Sequence, residues 1–364
     1  MAQPATRIAL VGAGHAHIEL VRQAHRLRAA GCELVLIDPA RFWYSGAAAG
    51  VLSGAVSHAE ASFDPSALAR ANGVRAVVDR VERIDLQTGR LHLASGSVER
   101  FDQLSLNTGS RAAPSRLIDQ GALPEKPVSN WALLKDRFEA ARGRLAIVII
   151  GAGATGVEAA ANLGALALQL GAKPHITLVD SGEPLSDWPA PARWAAMMRL
   201  AERGVSLVEA EALSLSDGGL ALSNGETLAA DLAMAAAGLQ AALPAGLGAD
   251  ETGLPVRETL QWTGSDRVFA VGDCARIVGH ERPRLGVFGV RAAPVLLENL
   301  IRVATGRGIL QRYRPQEHWL SILDLGEGQG VARYGEFSWS GRSVLWLKRW
   351  IDRRFMARYR IDDP

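Results

Sequence analysis

Residues 7–38 constrain this chain more than any other stretch. Residues 8–11 are short and uniformly apolar, the pattern of a strand buried on both faces. Gly12 and Gly14 follow at once, then a helical run over about 15–29, a second apolar strand at 33–37, and Asp38 at its end. Gly12-x-Gly14 makes a turn without side chains, so a pyrophosphate can approach the backbone. The helix opening at His15 points its N-terminal N–H groups at that phosphate. A carboxylate at Asp38 accepts hydrogen bonds from an adenosine ribose. The stretch reads as a βαβ dinucleotide site with one departure. The third glycine, which serves close helix–strand packing, is His17.

The pattern occurs twice. A strand at 145–150 leads into Gly151-Ala-Gly153-Ala-Thr-Gly156, a helix to about 170, and a strand at 175–179 closed by Asp180. Here all three glycines are present. A chain with two such sites binds two dinucleotides, or holds one in each of two similar domains. Its 364 residues leave room for two or three domains. The expected class is α/β, with two Rossmann-like three-layer domains, the second inserted in the first. Residues 1–110 and 246–311 form the first, 111–245 the second, and 312–364 a short C-terminal region. A formal charge of +2 predicts no nucleic-acid partner. No signal-peptide or membrane-spanning run occurs, and only Cys32 and Cys274 are present, so a disulfide framework is excluded and a cytoplasmic protein is expected. His15 and His17 lack the carboxylate or cysteine spacing of a metal site, and none is expected.

The remaining segments fill in the cleft. Residues 1–6 read as a loose tail. Tyr44-Ser45-Gly46 and the small-residue run to 54 read as backbone lying against a flat ring, because loops after the second strand line the ligand crevice. His58 reads as an ordinary loop residue, Asp64 as a helix cap, and 74–93 as a hairpin or meander. A strand ends in the Thr108-Gly109 turn, and a helix is expected over about 131–142. Strand 268–271 delivers Asp273 after Gly272, where a carboxylate can bind sugar-alcohol hydroxyls. Residues 284–294 lead into a helix whose first turn is expected at Pro294, since a missing N–H costs nothing there.

Together these segments resemble the two-dinucleotide-domain flavoproteins: pyridine nucleotide-disulfide oxidoreductases, type II NADH dehydrogenases and sulfide:quinone oxidoreductases. Gly-Ala-Gly-His-Ala-His17, Tyr-Ser-Gly46, Leu-Ser-Leu-Asn-Thr-Gly-Ser110, Lys-Pro-Val-Ser-Asn130, Gly-Val-Phe-Gly-Val-Arg291 and Ile-Asp-Arg-Arg-Phe-Met-Ala-Arg358 are most similar to an NADH-dehydrogenase-like subfamily. Its members resemble the N-terminal flavoprotein half of selenide water dikinase fusions. The resemblance implies non-covalent FAD at Gly12, Gly14, His15 and Asp38, with the flavin near Tyr44, Ser45 and Gly46. Thr108, Gly109, Gly272, Asp273, Arg291 and Pro294 complete that site, the helix after Pro294 aiming its positive end at the flavin. NADH, and less so NADPH, would bind at Gly151, Gly153, Gly156 and Asp180. Glu158 would lie near the nicotinamide; otherwise it is a first-turn acid complementing the helix dipole.

The implied activity is an NAD(P)H oxidoreductase passing electrons through FAD to a quinone-like or other small acceptor. The alternative is a flavoprotein module of selenium or sulfur metabolism with little NADH turnover. A redox-active cysteine pair is missing, so disulfide and cysteine-relay chemistry are not expected. His17 and the two cysteines read as packing residues, and His15 as the better phosphate contact. In the tail, Leu347, Ile351, Phe355 and Tyr359 recur every four residues, broadened by Trp346, Trp350 and Met356. From Gly341 onward seven Lys or Arg face three Asp. Such a helix over 342–361 is expected to bury its apolar face in its own protein, in a soluble chain. The readings left open are peripheral contact with the inner membrane face and a homodimer.

Overall fold

Two parallel sheets that share the order of four of their five strands carry the fold. The computed structural model describes residues 5–361 except 142–144 and 237. Most of the expected tail, the expected helix end at 142 and the last three residues lie outside them. In chain order the elements are β1 (Thr6–Val11), α1 (His15–Arg22), β2 (Cys32–Ile37), β3 (Arg75–Val77) and β4 (Gln103–Leu106). Then come α2 (Ser129–Ala140), β5 (Ala146–Ile150), α3 (Ala154–Leu170), β6 (His175–Asp180), α4 (Ala190–Glu202), β7 (Ser206–Glu209) and β8 (Leu232–Ala235). The chain ends with β9 (Val268–Ala270), α5 (Gly286–Thr305), β10 (Leu320–Asp324), β11 (Gly330–Tyr334), β12 (Phe337–Gly341) and α6 (Arg342–Met356).

The first sheet runs β9-β4-β1-β2-β3; the second runs Leu123–Pro124, then β8-β5-β6-β7. Ile8 pairs with Leu34 in the first, and Ile147 with Ile176 in the second. The strands are apolar almost throughout because helices and loops cover both faces. The α/β reading holds, and the second sheet interrupts the chain between β4 and β9 of the first. Residues 74–93 divide: β3 joins the parallel sheet, and only Val81–Asp85 and Arg90–Leu93 form a hairpin. The helix expected over 15–29 breaks at Gln23, whose N–H is shared between the carbonyls of Glu19 and Leu20 in a tightened turn.

The two glycine turns differ at the third position. A Cβ on Gly156 would lie 1.8 Å from the Gly151 carbonyl oxygen, so that position must be bare. At the matching place His17 is fully buried, with Nδ1 2.6 Å from the Gly12 carbonyl and Nε2 2.8 Å from Ser105 Oγ. Nδ1–H donates to the carbonyl and Nε2 accepts from the hydroxyl. Burial, opposed by the Gly12 bond, lowers the His17 pKa to about 4. The ring ties the turn to β4 in neutral form, the packing role read from sequence.

A third unit, the antiparallel sheet β10-β11-β12 with α6, joins the other two. Leu323, Leu325 and Val331 share a core with α3 and with the short helix Ala48–Leu52. Phe355, Met356 and Tyr359 enter the core of the first sheet, and Tyr359 Oη donates to Glu19 at 3.0 Å.

Candidate functional site

The strand ends converge on two adjoining cavities, of about 900 Å³ and about 400 Å³. The smaller runs from Gly14 and Asp38 past Thr108, Gly109, Gly272 and Asp273 to Glu158. The larger is lined by Tyr44, Gly46, Thr155, Glu158, Trp188 and Arg291, with apolar walls from α5, β10 and α6. His15, Ser45 and Glu158 line both.

Asp38 and Asp180 do the same local work. Asp38 accepts from the N–H groups of Ala13 at 2.7 Å and Ala40 at 2.9 Å; Asp180 accepts from those of Ala152 at 2.5 Å and Gly182 at 2.8 Å. Each carboxylate braces its glycine turn from the end of the second strand and keeps lone pairs for a ribose. Burial pushes the Asp38 carboxyl up, with the bonds from Ala40 and Ala13 opposing.

The helix N-termini are not alike. Asn107 Oδ1 accepts from the N–H groups of Ala16 at 3.0 Å and His17 at 3.2 Å, and its backbone oxygen from that of Gly14 at 3.2 Å. At the start of α1 only the His15 N–H remains without a partner among the described residues. At α3 the N–H groups of Gly153 through Gly156 are all without partners there. Side chains at Gly109 and Gly153 would meet nothing within 4 Å, so both backbones border open space. Open backbone and unused donors are what a dinucleotide needs, and the residues fit FAD in the first unit and a nicotinamide dinucleotide in the second. Gly151, Gly153, Gly156 and Asp180 line neither cavity, nor does Gly12, which packs on Asn107. Thr155 brings the second turn to the cavity edge.

The helix expected to begin at Pro294 begins at Gly286, and Pro294 stands exposed in its interior, away from both cavities. Leu285, in extended conformation, is the N-cap, so the positive end of α5 sits at Leu285–Val287, on the cavity wall. Proline inside a helix loses the bond its N–H would give the Val290 carbonyl.

Two ionic groups complete the site. Lys126 Nζ lies 3.1 Å from Asp273 Oδ2 and 2.6 Å from Ser110 Oγ. Burial pushes Asp273 up, but Lys126, the Ser110 bond and His15 outweigh it and hold the carboxyl below the usual range. Across the larger cavity Lys348 bonds Asp352 Oδ2 at 2.7 Å and the Gly46 carbonyl, while Tyr44 Oη donates to Asp352 Oδ1 at 2.9 Å. Glu158 accepts from the Asp324 N–H at 2.7 Å. Burial raises the Glu158 pKa to about 7, with Lys348 pulling it down and the charges of Asp324 and Asp352 adding. One buried lysine is thus shared by three carboxylates. Burial would lower the Lys348 pKa, but Asp352 and Glu158 raise it above the usual value, so it stays charged.

Sequence reasoning missed Asn107, Lys126, Asp324, Lys348 and Asp352 as site residues. Asn107 and Lys126 lay inside quoted motifs. Lys348 and Asp352 carried one signal: an i,i+4 ion pair on the apolar face of α6. Phe355, Met356 and Tyr359 are buried as expected, and Val344 and Leu345 join them, while Leu347 and Ile351 are only half-buried. Trp346 and Trp350, expected to broaden that face, are instead 65% and 45% exposed on the other side.

Cys32 and Cys274 are buried at opposite strand ends and make no disulfide. No group of three metal-ligating side chains occurs among the described residues. No helix there is long and apolar enough to cross a membrane.

Residues 6–293 match the model of the pyridine nucleotide-disulphide oxidoreductase family. The chain belongs to that family. It is an oxidoreductase of the FAD- and NAD(P)-dependent kind, of the same two-domain dinucleotide-binding architecture as its structural neighbours. It is 25% identical over 354 residues to ferroptosis suppressor protein 1 of Xenopus tropicalis, covering 91% of this chain and 89% of that one. An NADH dehydrogenase-like protein of Mycobacterium tuberculosis is 28% identical over 224 residues, 56% of each chain. Among solved structures, the sulfide:quinone oxidoreductase of Aquifex aeolicus superposes with a TM-score of 0.82 at 16% identity, covering 98% of this chain and 92% of that one. NDH2 of Plasmodium falciparum in complex with NADH gives 0.81 at 13%, covering 97% of each.

Proposed function

We propose that the protein is an FAD-dependent NADH oxidoreductase that passes electrons to a quinone-like acceptor. The carrying observation is Glu158, at the junction of the two cavities and one turn into the helix whose N-terminal N–H groups are unused. In this reading residues 1–110 and 246–311 hold FAD through Gly14, Asp38, Thr108, Gly109 and Asp273. Residues 111–245 hold NADH through Gly153, Gly156 and Asp180. FAD, when bound, supplies hydride acceptance from NADH and electron delivery onward. The protein holds both ligands, excludes water with the walls of α5 and α6, and keeps Glu158 beside the reacting rings. The resemblance to the flavoprotein half of selenide water dikinase fusions supplies the rival, a module with little NADH turnover. Anaerobic NADH should bleach the yellow protein within seconds, and acid precipitation should release free FAD. Flavin that stays oxidised for many minutes supports the rival instead.

Asp180 favours a free 2′-hydroxyl over a 2′-phosphate. We expect kcat/KM for NADH to exceed that for NADPH on the order of tenfold, about 1.4 kcal/mol. Equal values would remove Asp180 from selection.

The structure's exposed apolar face favours an acceptor met at a membrane surface. Leu320, Tyr334 and Phe337 are direct cross-strand neighbours on one face of the small sheet, with Phe337 79% exposed. Leu320 also borders the larger cavity. Trp346 and Trp350 stand on α6 among exposed Arg342, Arg353 and Arg354, with Arg354 stacked over Trp350. Interfacial tryptophans with arginines suit an anionic bilayer. The protein should float with phosphatidylglycerol vesicles at physiological salt and release in high salt. Remaining in the soluble fraction with those vesicles would place the acceptor in solution.

A further inference from the structure

His15 has hydrogen-bonding capacity that none of the described residues uses. Neither ring nitrogen has a partner among the described residues. Phe42, Tyr44 and Phe355 surround the imidazole with ring centroids 5.3, 5.9 and 5.5 Å away. A Cβ on Gly286 would meet the ring at 3.0 Å, so His15 stands against the first residue of α5. The ring lines both cavities.

That setting fixes its charge. Burial lowers the His15 pKa to about 4, Asp273 opposing and Lys126 reinforcing. The positive end of α5 acts in the same sense as burial. Of the other charged groups nearby, Asp273 is already paired with Lys126, and Asp352 beyond Tyr44 with Lys348. A neutral imidazole offers one donor and one acceptor, and aromatic walls satisfy neither well. The open direction is the cavity.

Resting on the reading of these cavities as the flavin site, we infer that the His15 N–H donates to the flavin and raises its reduction potential. A donor held at a ring that gains negative charge on reduction stabilises the reduced form more than the oxidised one. It acts in the same sense as the N-terminus of α5. The donor needs no reorganisation, because the aromatic walls and Gly286 hold the ring in place.

The test is the midpoint potential of the bound flavin by dye equilibration, on holoprotein with FAD content measured. His15→Phe keeps a ring and removes both nitrogens; His15→Gln restores an N–H donor. We expect the phenylalanine variant to hold FAD at full stoichiometry and to lose about tenfold in the equilibrium for two-electron reduction, about 30 mV. The glutamine variant should recover most of the loss. If the phenylalanine variant does not retain FAD, His15→Leu takes its place in the comparison. Equal potentials in the wild type and the donor-less variant, or equal losses in the donor-less and glutamine variants, overturn the inference. Wild-type protein that takes up no FAD overturns instead the reading on which it rests.

Discussion

Glu158→Gln is expected to slow flavin reduction by NADH about tenfold or more at pH 8, a barrier increase of about 1.4 kcal/mol. At pH 6 the variant and the wild type should nearly coincide. The carboxyl pKa is raised to about 7, so the wild-type group is mostly neutral at pH 6 and mostly ionised at pH 8. An ionised carboxylate favours hydride loss, because positive charge grows on the nicotinamide as the hydride leaves. The wild-type rate should therefore rise through pH 7 and the variant's should stay flat. Stability should move the other way. With a folded pKa above the unfolded one, the contribution of Glu158 is most favourable at low pH. It is lost as pH rises toward 7. Glutamine can still accept from the Asp324 N–H, and the variant should melt no lower than the wild type at pH 8. Stopped-flow reduction across pH, with melting curves on the same samples, checks both. Parallel pH profiles would leave Glu158 only its bond to the Asp324 N–H, because it stands past the first turn of α3 and not in it as the sequence suggested.

Lys348→Met should cost about 3–5 kcal/mol, the penalty for leaving buried charge uncompensated. Lys348 is one-tenth exposed in the ion pair with Asp352, and also bonds the Gly46 carbonyl. Its folded pKa lies above the usual lysine value, so its stabilisation is complete at neutral pH and is lost only in strong alkali. Without it Glu158 loses the charge that pulls its pKa down, so any remaining pH inflection in flavin reduction should move above 7. Asp352→Asn added to Lys348→Met should recover a good part of the stability, since the carboxylate left alone is removed too. Denaturant unfolding of the two variants decides the point. A single variant within about 1 kcal/mol of wild type would mean that the cluster is solvated and the lysine carries little.

The second prediction depends on how three chain regions meet, and that marks what could be read from the chain alone. The glycine turns, the aspartates at the second strand ends and the doubled βαβ pattern were legible because each is local. A bare turn, an apolar strand and a helix start lie within some thirty residues, and backbone geometry dictates their chemistry. The same locality misled at Pro294. Proline's preference for the first turn is real, but packing of α5 extends the helix eight residues upstream and outweighs one lost hydrogen bond.

Helix and strand periodicities, two dinucleotide turns and the lack of a cysteine pair were thus determined by sequence. The tertiary structure decided which polar groups become buried, and with what partners. Asn107 caps α1 from another strand, and His17 takes a carbonyl that a glycine leaves bare. Glu158, Asp324, Lys348 and Asp352 share one charge cluster across up to 194 positions of chain (352 − 158). Charge and hydrogen-bond energies depend on distance and burial, and neither is a property of sequence separation.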